Sequence, residues 1–282
     1  MPHITAEQKS FFAENGYLIL ENVLTSDEVR QLQGEADYIL DLIINSSLHH
    51  QRLSGRLDWR LTSQEQQMVR KIQPINDLSL DFTRVADDER LTGPLSDLMG
   101  DEPVLMEEKL NYKQPLPQPV EGLPIQPMDD YFPVHNDWAY YKAQDYPQTI
   151  LSSALLLDDC TPNNGPLRVW PGSHKSHLEH ERMENGLQVK ESLIDFDGGQ
   201  DVLAPAGSFA IFHVLLVHNS LPNTSGQPRR LMIYSHHPAG FAMPRDIRNG
   251  PARLREAPWE RAYMRLRERR DFDGEFVAPS YA

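Results

Sequence analysis

His135 and Asp137 stand two positions apart in the stretch "PVHNDWAYY", residues 133–141, with Trp138, Tyr140 and Tyr141 directly behind them. On a strand, positions i and i+2 face the same way, so an imidazole and a carboxylate at a strand end can converge on one metal ion. Two ligands hold a metal weakly, and His174, His177, His180, His213, His218, His236 and His237 are candidates for a third. His218 is the strongest of these. It closes the apolar run "GSFAIFHVLLVH", read as one strand, just before the turn "NSLPNTSG". Two histidines and one carboxylate on one face leave coordination positions open, the arrangement of non-haem Fe(II) oxygenases that bind a cosubstrate and O2. A keto-acid cosubstrate needs its distal carboxylate held, and the planar fork of arginine does this bidentately. Arg229 and Arg230 follow the turn, and a hairpin there would bring one of them back beside the histidine's strand. Only one of the two can point inward, since neighbours on a strand face opposite sides.

The elements that must position these residues divide the chain in two. Up to about residue 100 the pattern is mainly helical. Thr5 and Gln8 make a capping box for a first helix that Gly16 stops, and "YLIL" at 17–20 reads as a strand. A second helix starts at Thr25 or Ser26, with Val29, Leu32, Ala36, Ile39, Leu40 and Ile43 at helical spacing. The polar segment 45–75 is ambiguous, and 86–101 reads as another helix. From residue 103 short apolar runs alternate with Gly/Pro turns: 103–113, 149–159, 165–174, the run ending at His218, and "RRLMIYSHHP". The Pro-rich stretch 114–130 reads as an irregular loop. Such strands suggest a mainly β sandwich or barrel. The expected fold is a double-stranded β-helix, a cupin-like jelly roll over 103–240, with N-terminal helices packed on it and one more helix at 259–270 within a tail over 241–282. No linker or repeat divides the chain, so a single domain over 1–282 is expected.

Composition narrows the partners. Net charge is −14, from 27 basic and 41 acidic residues. That balance disfavours nucleic acid or an anionic membrane surface and leaves a small molecule as the expected partner. Cys160 is the one cysteine, so no intrachain disulfide can form. No signal peptide or membrane-spanning run is visible, and a cytoplasmic protein is expected. Composition is silent on oligomeric state.

Several stretches together resemble the phytanoyl-CoA dioxygenase family of Fe(II)/2-oxoglutarate oxygenases, which includes ectoine hydroxylases. They are the metal motif, "EKLNYK" at 108–113, "LLLDDCTPNNGPLRVWPGSHK" at 155–175, "GSFAIFHVLLVHNSLPNTSGQPRR", and the opening "FFAENGYLILENVLTSDEV". The resemblance runs from about residue 8 to 240. It implies that His135, Asp137 and His218 ligate Fe(II), and that Arg229, with Arg230 as the alternate, pairs with the C5 carboxylate of 2-oxoglutarate. It also implies that Asn111 and Lys113 line the cosubstrate pocket, with Tyr141 nearby and a hydroxyl from Ser152 or Ser153. O2 is then the co-reactant, and hydroxylation of a small metabolite with release of succinate and CO2 is the expected reaction. Related halogenases lack the carboxylate that Asp137 supplies here. Two other readings use the same residues. A cupin-like metalloenzyme would need neither 2-oxoglutarate nor O2, and a non-catalytic binding protein would need no metal. Substrate contacts are expected from 45–70, from 114–132 and from 240–250. His174, Trp170 and Cys160 read as structural.

Overall fold

The computed structural model describes residues 3–243, and the expected helix at 259–270 lies outside them. Helix α1 (Ala6–Asn15) carries both halves of the Thr5/Gln8 capping box and ends at Gly16, whose φ of 82° is the left-handed conformation of a helix stop. Strand β1 (Tyr17–Leu20) follows, then the long helix α2 (Ser26–His49), capped by Thr25 and Glu28. Strands β2 (Leu57–Leu61) and β3 (Gln67–Ile72) fill the segment whose sequence is ambiguous. The helix expected over 86–101 is α4 (Glu89–Met99), capped by Asp88, and a separate helix that the sequence reading did not expect, α3 (Leu80–Ala86), capped by Ser79, precedes it.

Next come β4 (Pro103–Pro115), β5 (Gln126–Pro127), β6 (Phe132–His135) and the one-turn helix α5 (Trp138–Tyr141). The chain continues through β7 (Leu151–Leu156), β8 (Arg168–Val169), β9 (His180–Met183), β10 (Gly186–Val189) and β11 (Gln200–Asp201). It ends in β12 (Phe209–His213), β13 (His218–Ser220) and β14 (Leu231–Pro238). The strand expected over 165–174 shrinks to β8, since Gly172 at φ 79° breaks the chain into a turn.

The jelly-roll core is a major sheet in the order β1-β12-β7-β14-β4-β3-β2-β5 and a minor sheet in the order β11-β8-β13-β6; β9 and β10 form a separate hairpin. The run 209–218 is not one strand. It leaves β12 at His213, turns with Leu216 N–H bonded to the His213 carbonyl, and re-enters as β13 in the other sheet. His218 therefore opens a minor-sheet strand rather than closing a major-sheet one. The following turn likewise carries the chain across to β14 in the major sheet, so Arg229 does not return beside His218 in a hairpin. The main apolar core lies between α2, α3, α4 and the major sheet, where Ile39, Ile43, Phe82, Leu91, Leu110 and Phe209 are buried.

Candidate active site

His135 and His218 are direct cross-strand partners in the minor sheet, which brings their ring centroids to 4.4 Å. Asp137 is not on a strand. Strand β6 stops at His135, and Asp137 adopts helical backbone (φ −64°, ψ −31°) at the start of α5. The turn still delivers the carboxylate: Asp137 Oδ1 lies 3.7 Å from His135 Nε2 and 3.8 Å from His218 Nε2. One ligand atom from each residue falls within 4.8 Å of the others, and all three residues are buried.

The tautomers are fixed from behind. His135 Nδ1 meets the Pro133 carbonyl at 2.7 Å, and His218 Nδ1 meets the Leu216 carbonyl at 3.0 Å. A carbonyl only accepts, so each Nδ1 carries a proton and each Nε2, turned toward Asp137, is the nitrogen left to serve as a ligand atom. Burial first, and then the neighbouring His218, pulls the His135 pKa down to about 3. Burial works against the Asp137 charge, but Lys109 and the two histidines outweigh it and hold that carboxyl at about 2. A neutral His135 imidazole beside an ionised Asp137 is a donor state that a divalent cation takes up. Ser152 Oγ donates to Asp137 Oδ2 at 3.3 Å and pairs with Ser235 Oγ at 2.9 Å, steadying the carboxylate.

This triad opens into a cavity of about 400 Å³ between the two sheets. Arg229 lines it, is 1% exposed, and has no hydrogen-bond partner for Nε or Nη1 among the described residues. A buried guanidinium left unpaired is costly, and a carboxylate presented to its fork would satisfy it. Arg230 faces the other way. It donates to both Asp158 oxygens, at 2.8 and 2.9 Å, and to Asp37 at 2.7 Å. Asn111 also lines the cavity with its side-chain oxygen unpaired. The donor set and the open guanidinium thus fit Fe(II) and a keto acid.

Tyr141 and Tyr140 line the cavity, and Tyr141 donates its hydroxyl to Glu107 at 2.7 Å. Lys113 and Ser153 do not line it. The register Val69↔Gln114, Lys71↔Asn111 leaves one extra residue in β4, and Lys113 at this bulge has φ 41°. The bulge turns the ammonium off the cavity face, where it donates to the carbonyls of Asp130 (2.8 Å) and Leu221 (2.5 Å). Lys113 so ties together the loops before β6 and after β13. Ser153 is fully buried, and its neighbour Ser152 is the one that reaches Asp137. His174, Trp170 and Cys160 all lie outside the lining.

Among the lining residues that the sequence reading does not single out are the charged side chains of Asp58, Arg60, Arg70, Lys71, Glu107, Lys109 and Glu184. For two of them a signal exists. With Asn111 facing inward, the period of two along β4 puts Lys109 and Glu107 on the same face. The four on β2 and β3 need the β2–β3 register. Asp58↔Lys71 followed by Trp59↔Val69 leaves an extra residue in β3 at Arg70, so Arg70 and Lys71 can both reach the cavity. Of the segments expected to supply substrate contacts, 45–70 contributes Asp58, Arg60 and Arg70, and 114–132 contributes Phe132.

A jelly roll whose two sheets enclose a buried His-Asp-His triad and an unpaired arginine defines a non-haem Fe(II)- and 2-oxoglutarate-dependent dioxygenase. The chain belongs to the phytanoyl-CoA dioxygenase (PhyH) family, whose model matches residues 12–231. Among its relatives, the ectoine dioxygenase of Sphingopyxis alaskensis is 28% identical, over 89% of this chain and 86% of that protein. A phytanoyl-CoA dioxygenase of Arabidopsis thaliana is 26% identical, over 83% of this chain and 88% of its own. Among solved structures, that of EctD from S. alaskensis with 2-oxoglutarate and 5-hydroxyectoine is similar with a TM-score of 0.63 and 27% identity, covering 84% of this chain and 77% of EctD.

Proposed function

We propose that this dioxygenase hydroxylates an unactivated carbon of a small polar metabolite, with His135, Asp137 and His218 holding Fe(II) and Arg229 holding the distal carboxylate of 2-oxoglutarate. When bound, the metal and keto acid supply O2 activation, with one oxygen atom leaving in succinate beside CO2 and the other entering the substrate as hydroxyl. The protein's own share is positional. The Pro133 and Leu216 carbonyls hold the two imidazoles in one tautomer, and Ser152 orients Asp137. Asn111 borders the keto acid, and Tyr140 and Tyr141 wall the side of the cavity next to the metal. The observation that carries the reading is the buried, unpaired Arg229 guanidinium in the same cavity as the triad. A cupin-like metalloenzyme would leave that arginine with no keto acid to hold, and a non-catalytic binding protein would have no need of three converging metal ligands.

A cavity of about 400 Å³ that must also admit the cosubstrate favours a small substrate over an acyl-CoA. The many charged lining groups favour a polar one. We read the whole chain as one dioxygenase domain working in the cytoplasm without nucleic acid, as its single cysteine and its charge of −14 suggest. Among the described residues no helix is long and apolar enough to cross a membrane.

The test is anaerobic. Fe(II) and then 2-oxoglutarate are added to metal-free protein, and a visible charge-transfer band is expected in the parent and not in His135→Ala. A folded parent that binds iron yet gives no band would rule out the keto acid and favour the cupin-like reading.

A further inference from the structure

On the cavity face of the major sheet, Lys71 of β3 is the cross-strand partner of Asn111 of β4, so Lys109, two residues along β4, is its diagonal neighbour. Both ammoniums line the cavity. Their acidic surroundings are already engaged. Asp58 lies 2.7 Å from Arg60 and 3.5 Å from Arg70. Glu107 accepts from the Tyr141 hydroxyl at 2.7 Å and from Gln73 at 2.8 Å, and its contact to Lys109 is longer, at 3.8 Å. Lys71 has no carboxylate within 4.0 Å among the described residues; its ammonium is 3.3 Å from the side-chain oxygen of Gln73. Arg229 is committed to the cosubstrate on the proposed reading. Apart from Asp137, which belongs to the triad and has Lys109 as a charge neighbour, the cavity thus carries Arg60, Arg70, Lys71 and Lys109 against Asp58, Glu107 and Glu184, an excess of one positive charge inside an acidic protein.

Like charges facing one another in a half-buried site are unfavourable unless an anion sits with them. Lys71 also stands at a junction. A second cavity, bounded by β2 and the 124–127 segment, shares Asp58, Arg60 and Lys71 with the first. A molecule entering from that side meets Lys71 before it meets the metal ligands.

We propose that Lys71 and Lys109 form a recognition site for an oxyanion on the substrate, a carboxylate or a phosphate-like group, at the mouth of the reaction cavity. The proposal rests on the dioxygenase reading for the word "substrate", and the site itself can be tested apart from turnover. The substrate class is then a small organic anion whose charged group is docked at Lys71 while a carbon further along it is presented to the metal.

The probe is inorganic sulfate. It is titrated calorimetrically into the anaerobic Fe(II)- and 2-oxoglutarate-loaded protein while the charge-transfer band is followed. Saturable binding is expected with the band retained. Lys71→Gln should weaken it at least about tenfold, the loss of one charge-assisted contact, and Lys71→Arg should retain most of it. Lys109→Gln should weaken it to a similar extent, and serves as the readout if Lys71→Gln does not fold. Absence of sulfate binding, unchanged affinity in both glutamine variants, or loss of the band as sulfate displaces the keto acid at Arg229 would each overturn the site. A parent that gives no band but binds sulfate through Lys71 would keep the anion site and remove the dioxygenase reading.

Discussion

Adjacent arginines at 229 and 230 sit in opposite surroundings because neighbours on extended backbone face opposite ways. Arg229 is buried with two nitrogens unpaired, whereas Arg230 is locked to Asp158 and Asp37. Their variants should fail differently. Arg229→Gln removes a bidentate charged contact, so the KM for 2-oxoglutarate should rise about a hundredfold while iron binding survives. Arg230→Gln should leave that KM nearly unchanged and cost about 1–3 kcal/mol of stability by urea unfolding, discounted because Asp37 is largely exposed. Equal KM effects in the two variants would refute the assignment. The convergence of the triad and of one inward arginine was legible in residue type and spacing. Which arginine faces in was not, because that depends on how the chain crosses from β13 to β14 between sheets.

At the scale of elements, legibility followed the strength of the local signal. The boxes at Thr5/Gln8 and Thr25/Glu28 and the glycine at 16 act within one turn of helix, and both helix starts and the stop fall where the sequence puts them. The break between β12 and β13 left no such mark. Every residue from 209 to 218 except His213 is buried, so hydrophobicity is uniform across the turn and carries no period. The β2–β3 hairpin was hidden for the opposite reason, since its inward face is built of charges. Strand β4 shows what the period of two costs as well as gives. Glu107 and Lys109 face the cavity, and Glu108 between them is buried on the other face, accepting from the N–H groups of Ile75 and Asn76 at 3.1 and 3.0 Å. Burial raises the Glu108 pKa from 4.5 to about 7. A folded-state value above the unfolded one favours the protonated form. Its stabilising contribution is therefore complete below about pH 4.5 and is lost as pH rises through about 7. Relative to Glu108→Gln, the parent should lose on the order of 3 kcal/mol between pH 4.5 and 8.5, read from urea unfolding at each pH. A parent-to-variant difference that stays flat over this range would refute the buried, pH-sensitive role.

Across the whole molecule, the site is divided between sheets. His135 and His218 belong to the minor sheet, with Asp137 in the turn after β6, while Asn111, Lys71 and Lys109 belong to the major sheet and Arg229 leads into its strand β14. A keto acid chelated at the triad and gripped by Arg229 would join the two sheets across the cavity, and its binding energy would add to the stability of the fold. Ligand at a hundred times its Kd contributes about 2.7 kcal/mol. For a chain of this size that corresponds to a rise in Tm on the order of 5 °C. Thermal unfolding should therefore show one increment on adding Ni(II), as an oxygen-stable substitute for iron, and a second on adding 2-oxoglutarate. The order matters, because the keto acid lacks half its grip without the metal: 2-oxoglutarate alone should give little. In Arg229→Gln the metal increment should persist and the keto-acid increment should largely vanish, whereas in His218→Ala both should be lost. A 2-oxoglutarate increment that needs no metal, or that survives intact in Arg229→Gln, would mean that the cosubstrate sits elsewhere and that the two sheets are not bridged through this arginine.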